Sequence, residues 1–237
     1  MAVSGEDISA LTAIVRGVAR TAIMPRFRAL GSGQVATKSS DDDFVTVADR
    51  EAEALVAEAV LARWPEAVVI GEEACSEGRA DRGDIAGARR AVIVDPIDGT
   101  WNFAHGLPVF GVIVAVVEDG ETVAGILYDP VGDDVIHARL GEGAFYTRPD
   151  GATARLTTAK HKPADELTGY SGHALMAKAR QEALALPLTA FRRVSALRCS
   201  CHEYRLMAQG YADFCLTGSL EPWDHAAGEL VVREAGG

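Results

Sequence analysis

The sequence predicts an α+β fold built from two halves that join near residue 145. Three observations lead to this prediction. Helical periodicity dominates the first quarter of the chain, a block of short apolar segments with turn signals follows, and helices alternate with strands beyond about residue 150. We therefore expect residues 1–145 to form an antiparallel α+β half and residues 146–237 to form an α/β half.

The helices are predicted from the spacing of apolar residues. Apolar side chains recur at helical spacing from Ile8 to Val18, so residues 6–29 are predicted as an amphipathic helix that ends at Gly31. A second helix is predicted over 46–63, with Thr46 as its N-cap. The remaining helices are predicted over 175–186, over 200–209 and over 223–235, the last opened by Asp224.

The strands are predicted from short β-branched runs between turn residues. Residues 68–70 form a first strand, and a long run of valine and isoleucine ending at Val94 forms the next. The Asp119-Gly120 pair between two apolar runs is typical of a hairpin turn. The further strands are predicted over 109–117, 122–128, 134–139 and 213–217, and residues 141–146 are predicted as another short strand or a turn.

Composition and charge narrow the classes of protein. The 237-residue chain has a formal net charge of −11, which argues against binding nucleic acid through a basic surface. Its four cysteines form no C-x-x-C pair, so we expect free thiols in a reducing cytoplasm. We see no signal peptide and no uninterrupted apolar stretch of membrane-spanning length, so we expect no membrane partner, and the acidic net charge leads us to expect no nucleic-acid partner.

The most informative segment is the end of the apolar run at residues 91–100. Asp95 and Asp98 follow the β-branched residues, and Gly99 and Thr100 follow at once. Carboxylates gathered at a strand end are the hard oxygen ligands that Mg²⁺ takes together with substrate phosphates. Gly99 allows close backbone approach, and free N–H groups at a following helix would suit a phosphate. The alternative interpretation is an ordinary Asp-Pro turn closed by glycine.

Three more acidic residues lie at the ends of predicted elements. Asp49 follows Thr46 by three residues and suits a capping box. Glu72 follows a strand and suits a solvated acidic turn, and Asp224 lies at a helix start, where it interacts favourably with the helix dipole. Each has this ordinary local explanation when taken alone. Together they lie where elements can converge on one cleft, which favours metal-dependent phosphate chemistry.

These segments resemble the inositol monophosphatase family, within the wider fructose-1,6-bisphosphatase-like, lithium-sensitive phosphatase superfamily. They occur in family order across nearly the whole chain. The resemblance implies a layered α-β-α-β-α sandwich, the fructose-1,6-bisphosphatase-like sugar phosphatase fold, and commonly a homodimer. The matching segments are Asp43-x-Val45-Thr46-x-x-Asp49, Gly71-Glu72-Glu73, Asp95-Pro96-Ile97-Asp98-Gly99-Thr100, Asn102-Phe103-x-His105-Gly106 and Trp223-Asp224-x-Ala226-Ala227-Gly228.

The resemblance also implies a set of metal ligands. Glu72, Asp95 and the backbone carbonyl of Ile97 would hold one Mg²⁺. Asp95, Asp98 and Asp224 would hold a second ion, and Glu72 would help a third that is held more weakly. Two such ions can clamp the attacking and leaving oxygens of an in-line displacement. The implied cofactor is therefore two to three Mg²⁺ ions.

The resemblance assigns catalysis to Asp49, Glu72 and Thr100. Thr100, backed by Asp49, would orient the attacking water, and the amides of Gly99 and Thr100 would cradle the phosphate without a phosphoenzyme. Lys38 has two interpretations that the sequence leaves open, since it either attracts phosphate or balances the neighbouring aspartates.

The choice of substrate is left open. Inositol-specific members carry a Gly/Ser/Thr-Ala-Ala segment and a glutamate seven residues before the last aspartate ligand, where this chain has Arg198 to Cys201 and Thr217. We expect Asp98, Arg198, Ser200 and Thr217 to contact substrate, although Arg198 equally suits a salt bridge. Family members usually continue past the position of Gly237, so we expect the C-terminal half to be incomplete.

The leading prediction is a Mg²⁺-dependent phosphomonoesterase for a small polyol or sugar phosphate. Fructose-1,6-bisphosphate, histidinol phosphate and a 3′-phosphoadenosine compound are alternatives with the same chemistry. A regulator that binds metal and phosphate with weak turnover is the alternative from another class.

Overall fold

A computed structural model describes residues 3–31, 33–37 and 44–237. Seven α-helices lie within these described ranges: α1 (Gly5–Val18), α2 (Val47–Arg63), α3 (Glu72–Ser76), α4 (Thr100–Ala104), α5 (Lys178–Ala185), α6 (Ser200–Ala208) and α7 (Pro222–Glu234). The strands in the same ranges are β1 (Val35–Thr37), β2 (Phe44–Thr46), β3 (Val68–Gly71), β4 (Arg90–Asp98), β5 (Gly111–Glu118), β6 (Glu121–Asp129), β7 (Asp134–Arg139), β8 (Gly143–Thr147), β9 (Thr153–Arg155), β10 (Thr168–Ser171), β11 (Arg193–Ser195) and β12 (Phe214–Leu216).

A large sheet carries the strands from β3 to β9 in sequence order. β3 pairs with β4 in parallel, and each later pair is antiparallel. Both faces of this sheet are covered, which explains why β4 and β5 read as continuous apolar runs. Val92 packs into a core with α1 and α2, whereas Ile93, the next residue, packs into a second core with α6 and α7.

A smaller parallel sheet has the order β11–β10–β12. It belongs to the second part of the chain, where α6 contacts both α7 and β12. The layered α+β arrangement predicted from the sequence is confirmed.

One glycine allows α7 to lie directly on the large sheet. A Cβ atom on Gly125 of β6 would lie 2.7 Å from the carbonyl oxygen of Ala227 in α7, too close for any other residue. This close approach holds the first turn of α7, which carries Asp224, beside the sheet. The sequence predicted that Asp224 opens this helix. The N-cap of α7 is Glu221 instead, so Asp224 lies inside the first turn.

The N-terminal helix is shorter than predicted, because its backbone changes form before Pro25. α1 continues as a π-helical turn (Ala19–Ile23) and a 3₁₀ turn (Met24–Arg26), and proline cannot donate the next helical hydrogen bond. Among the described residues this 22-residue segment, which contains an 18-residue window with a mean hydropathy of 1.2, is long and apolar enough to cross a membrane by length and composition. Core helices pass the same test, and here Leu11 and Val15 are buried against α2 and the sheet.

Several short elements were absent from the sequence prediction, namely α3, α4, β1, β2, β9, β10 and β11. Elements of three to five residues are too short to show a hydrophobic period. The predicted boundary near residue 145 falls inside β8, and the large sheet continues to Arg155. The division into two halves stays a prediction.

Candidate active site

Two buried carboxylates lie at the end of β4. Asp95 pairs with Ile113 and Asp98 with Gly111, so three steps along β4 match two along β5. This bulge bends the strand end and re-aims its side chains, as bulges do near functional sites. Ligand oxygens of Asp95, Asp98 and Asp224 lie within 4.8 Å of one another.

The electrostatics of this cluster suit a cation. Burial raises the pKa of Asp95 well above its ordinary value, and nearby carboxylates raise it further: those of Glu72, Asp98, Asp224 and Asp49. Crowded carboxylates in a buried place are costly when charged, and a divalent cation relieves that cost. The donors are all hard oxygens, so the residues present fit Mg²⁺ or a similar ion.

Glu72 is placed by Glu53, a residue that was not predicted from the sequence as part of the site. The carboxylate of Glu53 accepts hydrogen bonds from the backbone N–H groups of Glu73 (2.7 Å) and Ala74 (2.8 Å). It therefore caps the N-terminus of α3, whose first residue, Glu72, follows β3 directly. Glu53 is only 4% exposed. Its signal in the sequence was a glutamate on the apolar side of the helix predicted over 46–63.

Thr100 and Asp49 meet beside the cluster. The Thr100 hydroxyl lies 3.2 Å from Asp49 Oδ1 and 3.0 Å from the Ile97 carbonyl oxygen, so it can donate its hydrogen bond to either oxygen. Asp49 Oδ2 accepts the Thr46 backbone N–H at 2.9 Å and also its hydroxyl. The capping box is therefore real, and the other oxygen of the same carboxylate contacts Thr100.

The turn after β4 depends on Gly99. Its φ is 87°, in the left-handed region, and α4 begins at the next residue. A Cβ atom here would lie 3.0 Å from the carbonyl oxygen of Val109 and 3.2 Å from that of Arg198. The backbone N–H of Ile97 in the same segment donates to Asp95 Oδ1 at 3.0 Å, which orients that carboxylate.

Asp98 joins the end of β4 to the start of α6. Its carboxylate accepts the backbone N–H groups of Ser200 (3.1 Å) and Cys201, and the Cys199 thiol at 3.0 Å. Burial raises the pKa of Asp98 to about 6 against the lowering effect of these donors. Burial also raises the pKa of the Cys199 thiol, which therefore keeps its proton and donates. This contact was not predicted from the sequence.

A cleft of about 700 Å³ opens above these residues. Glu72, Asp98 and Asp224 line it with Gly99 and Thr100, and the residues predicted as substrate contacts line it too: Arg198, Ser200 and Thr217. The Arg198 guanidinium lies over the Trp101 ring, 4.5 Å from its centre. The Thr217 hydroxyl bonds within its own turn, to Ser219. Lys38 and Asp43 lie outside the described residues.

Hard oxygen ligands gathered at a strand end within this layered fold define the class of metal-dependent phosphatases. The chain belongs to the inositol monophosphatase family, whose model matches residues 6–237. It is similar to the fructose-1,6-bisphosphatase/inositol-1-monophosphatase of Thermotoga maritima, with 32% identity over 203 residues that cover 86% of this chain and 73% of the relative. It is also similar to the Nus factor SuhB of Escherichia coli (strain K12), with 34% identity over 215 residues that cover 85% of this chain and 73% of the relative.

Solved structures agree with this assignment. The IMPase of Thermotoga maritima superposes with a TM-score of 0.82 at 29% identity, covering 98% of this chain and 84% of the other. The extragenic suppressor protein suhB of Bartonella henselae superposes with a TM-score of 0.83 at 26% identity, covering 98% and 86%. The fold and the reaction class therefore stand on both sequence and structure.

Proposed function

We propose that the protein is a Mg²⁺-dependent phosphomonoesterase that hydrolyses a small polyol or sugar phosphate by direct attack of water. The observation that carries this proposal is the cluster of Asp95, Asp98 and Asp224, whose ligand oxygens lie within 4.8 Å of one another beside the Thr100–Asp49 pair. A hydroxyl hydrogen-bonded to a buried carboxylate can align a nucleophile next to a metal site.

Two to three ions would be held by five residues: Glu72, Asp95, Ile97 through its carbonyl oxygen, Asp98 and Asp224. When bound, Mg²⁺ supplies positive charge to phosphate oxygens and makes water a better nucleophile at neutral pH. The net charge of −11 makes this local neutralisation necessary for an anionic substrate.

Thr100 and Asp49 would orient the attacking water and receive its proton. The Thr100 oxygen can accept a hydrogen bond from water while its own proton points to Asp49 Oδ1. Asp49 is 1% exposed, its Oδ2 accepts the Thr46 backbone N–H, and its Oδ1 is the oxygen that lies 3.2 Å from the Thr100 hydroxyl. The N–H groups of Gly99 and Thr100 would hold the phosphate.

The identity of the alcohol remains a proposal. Arg198 lies on Trp101 inside the cleft, and a guanidinium there would bind a second anionic group, which favours fructose-1,6-bisphosphate beside inositol phosphates. Ser200 and Thr217 would offer hydroxyl groups to the sugar. Histidinol phosphate and a 3′-phosphoadenosine compound complete the set of substrates to compare.

The second candidate function is a regulator with little turnover. It is favoured by relatives named Nus factor SuhB, a name that states no phosphatase activity. We further propose a cytoplasmic homodimer without nucleic-acid or membrane partners. The molar mass of the protein in solution, measured by light scattering, tests the proposed dimer.

Phosphate release with and without Mg²⁺ tests the enzyme proposal. The four substrates to compare are inositol-1-phosphate, fructose-1,6-bisphosphate, histidinol phosphate and a 3′-phosphoadenosine compound. Thr100→Val is expected to lower kcat by about 10²–10⁴-fold with little change in KM, because it removes the proton acceptor and leaves the cation ligands. Thr12→Val, a buried threonine of α1, serves as the matched control and should retain activity. Bound Mg²⁺ without phosphate release from any substrate would instead favour the regulator.

A further inference from the structure

The Asp98 carboxylate is nearly saturated with hydrogen bonds before any cation binds. Oδ2 accepts two of them, from the Cys199 thiol at 3.0 Å and from the Cys201 backbone N–H. Oδ1 accepts one, from the Ser200 backbone N–H at 3.1 Å. A carboxylate has about four acceptor sites, two on each oxygen, so the remaining site lies on Oδ1.

From this arrangement we infer that Cys199 is a positioning residue, which restricts Asp98 to a single ligand oxygen and thereby favours Mg²⁺ over the larger Ca²⁺. The inference rests on the proposed function, since it takes Asp98 as a ligand of the cation.

The difference between the two ions follows from their coordination. Ca²⁺ takes six to eight oxygens and accepts carboxylates in bidentate form, whereas Mg²⁺ requires near-octahedral geometry with one oxygen from each carboxylate. With the thiol present, Oδ2 has no acceptor site left for an ion. Without it, one site on Oδ2 becomes free, and Asp98 can bind through both oxygens.

The thiol is the contact that a substitution can remove. The other two donors are backbone groups at the start of α6 and remain in any side-chain variant. Cys199 is 2% exposed, so bulk water does not compete with the thiol for Oδ2. Cys201 is the matched control, because it is also buried and lies two residues further on, in α6, but directs its sulfur to the Tyr128 carbonyl oxygen, 3.8 Å away.

The experiment is a calorimetric titration of Mg²⁺ and of Ca²⁺ into metal-free protein. It compares wild type with Cys199→Ala, Cys199→Ser and Cys201→Ala. In Cys199→Ala the ratio of the Ca²⁺ Kd to the Mg²⁺ Kd is expected to fall about tenfold, the usual size of an effect from a group behind a metal ligand. Cys199→Ser retains a hydrogen-bond donor at position 199, and Cys201→Ala retains the Cys199 thiol. The ratio of the two Kd values should therefore stay within about twofold of wild type in both variants.

The outcomes separate the inference from the function on which it rests. An unchanged ratio in Cys199→Ala, including an equal weakening for both ions, would overturn the positioning role. A wild-type protein that binds neither ion would overturn the proposed function itself. Should the alanine variant fail to fold, Cys199→Val also removes the donor, and its β-branched side chain suits the extended backbone at this N-cap.

Discussion

Gly71→Ala is expected to destabilise the protein and to weaken its hold on metal ions, although Gly71 touches no substrate. The new Cβ atom would lie 2.2 Å from Cδ of Glu53 and 2.3 Å from its Oε2. Glu53 is buried and holds the N–H groups of Glu73 and Ala74. The carboxylate would therefore have to leave its place and release the start of α3, where Glu72 lies.

The size of the effect follows from the two hydrogen bonds that Glu53 would give up. A hydrogen bond to a charged group contributes about 1.5–3 kcal/mol, so breaking both costs about 3–6 kcal/mol. Gly71 has φ −101° and ψ 152°, which any residue adopts, so alanine adds no backbone strain. For a chain of this size each kcal/mol lowers Tm by about 2–4 °C, which predicts a fall of roughly 6–24 °C.

The Tm from thermal unfolding followed by circular dichroism, with and without Mg²⁺, tests this prediction. The matched control is Gly17→Ala in α1, where an added Cβ meets no atom within 4 Å and the helix should gain about 0.5–1 kcal/mol. A destabilisation below about 1 kcal/mol in Gly71→Ala would refute the reasoning, because it would mean that Glu53 moves without giving up charged hydrogen bonds.

Three other predictions concern single charges. Asp95→Asn should abolish Mg²⁺-dependent phosphate release and the Mg²⁺-dependent rise in Tm, while the metal-free protein stays folded because one crowded buried charge is removed. Asp134→Asn should cost about 3–5 kcal/mol in urea unfolding, since Arg205 is 5% exposed and loses its anion; adding Arg205→Met should recover most of it. Burial alone would raise the pKa of Asp7, but a backbone amide and Arg63 outweigh it and lower the pKa to about 2. The stabilisation from Asp7 should therefore be complete above about pH 4 and disappear as pH falls toward 2, which the pH dependence of Tm for Asp7→Asn measures.

Each of these predictions has a contradicting result. Near-normal turnover in Asp95→Asn would remove its role as a shared ligand. Equal stability of the Asp134→Asn variant and the double variant would show that the unpaired guanidinium is not the source of the destabilisation. A difference between wild type and Asp7→Asn that persists unchanged at pH 2 would show that the ion pair with Arg63 is not what stabilises this end of α1.

Much of the fold was predictable because its signals are local. Thr46 and Asp49 form the predicted capping box, and α2 ends at Arg63 as expected. The hairpin at Asp119 and Gly120 also lies where the sequence placed it, since both residues take positive φ. By contrast, the short strands of the smaller sheet have no period of their own, and only their pairing defines them.

The partners of the carboxylates were not predictable. Glu53 lies 20 residues from Glu73 and Asp98 lies 101 residues from Cys199. No local pattern reports such contacts, because they form only when β4, α3 and α6 pack together. The Arg205–Asp134 pair, 71 residues apart, was missed for the same reason.

The amino-acid sequence by itself determined the longer helices and strands, the chemistry of their ends and the family to which the chain belongs. Helical and strand periods, caps and turns depend on neighbours within a few residues, so the order of residues specifies them. Tertiary structure alone decided which carboxylates share a space, which thiol and amides hold Asp98, and how deeply each is buried. Those properties arise from the bulge in β4 and from the packing of α6 and α7 on the sheet, since hydrogen bonds and desolvation act through space and not along the chain.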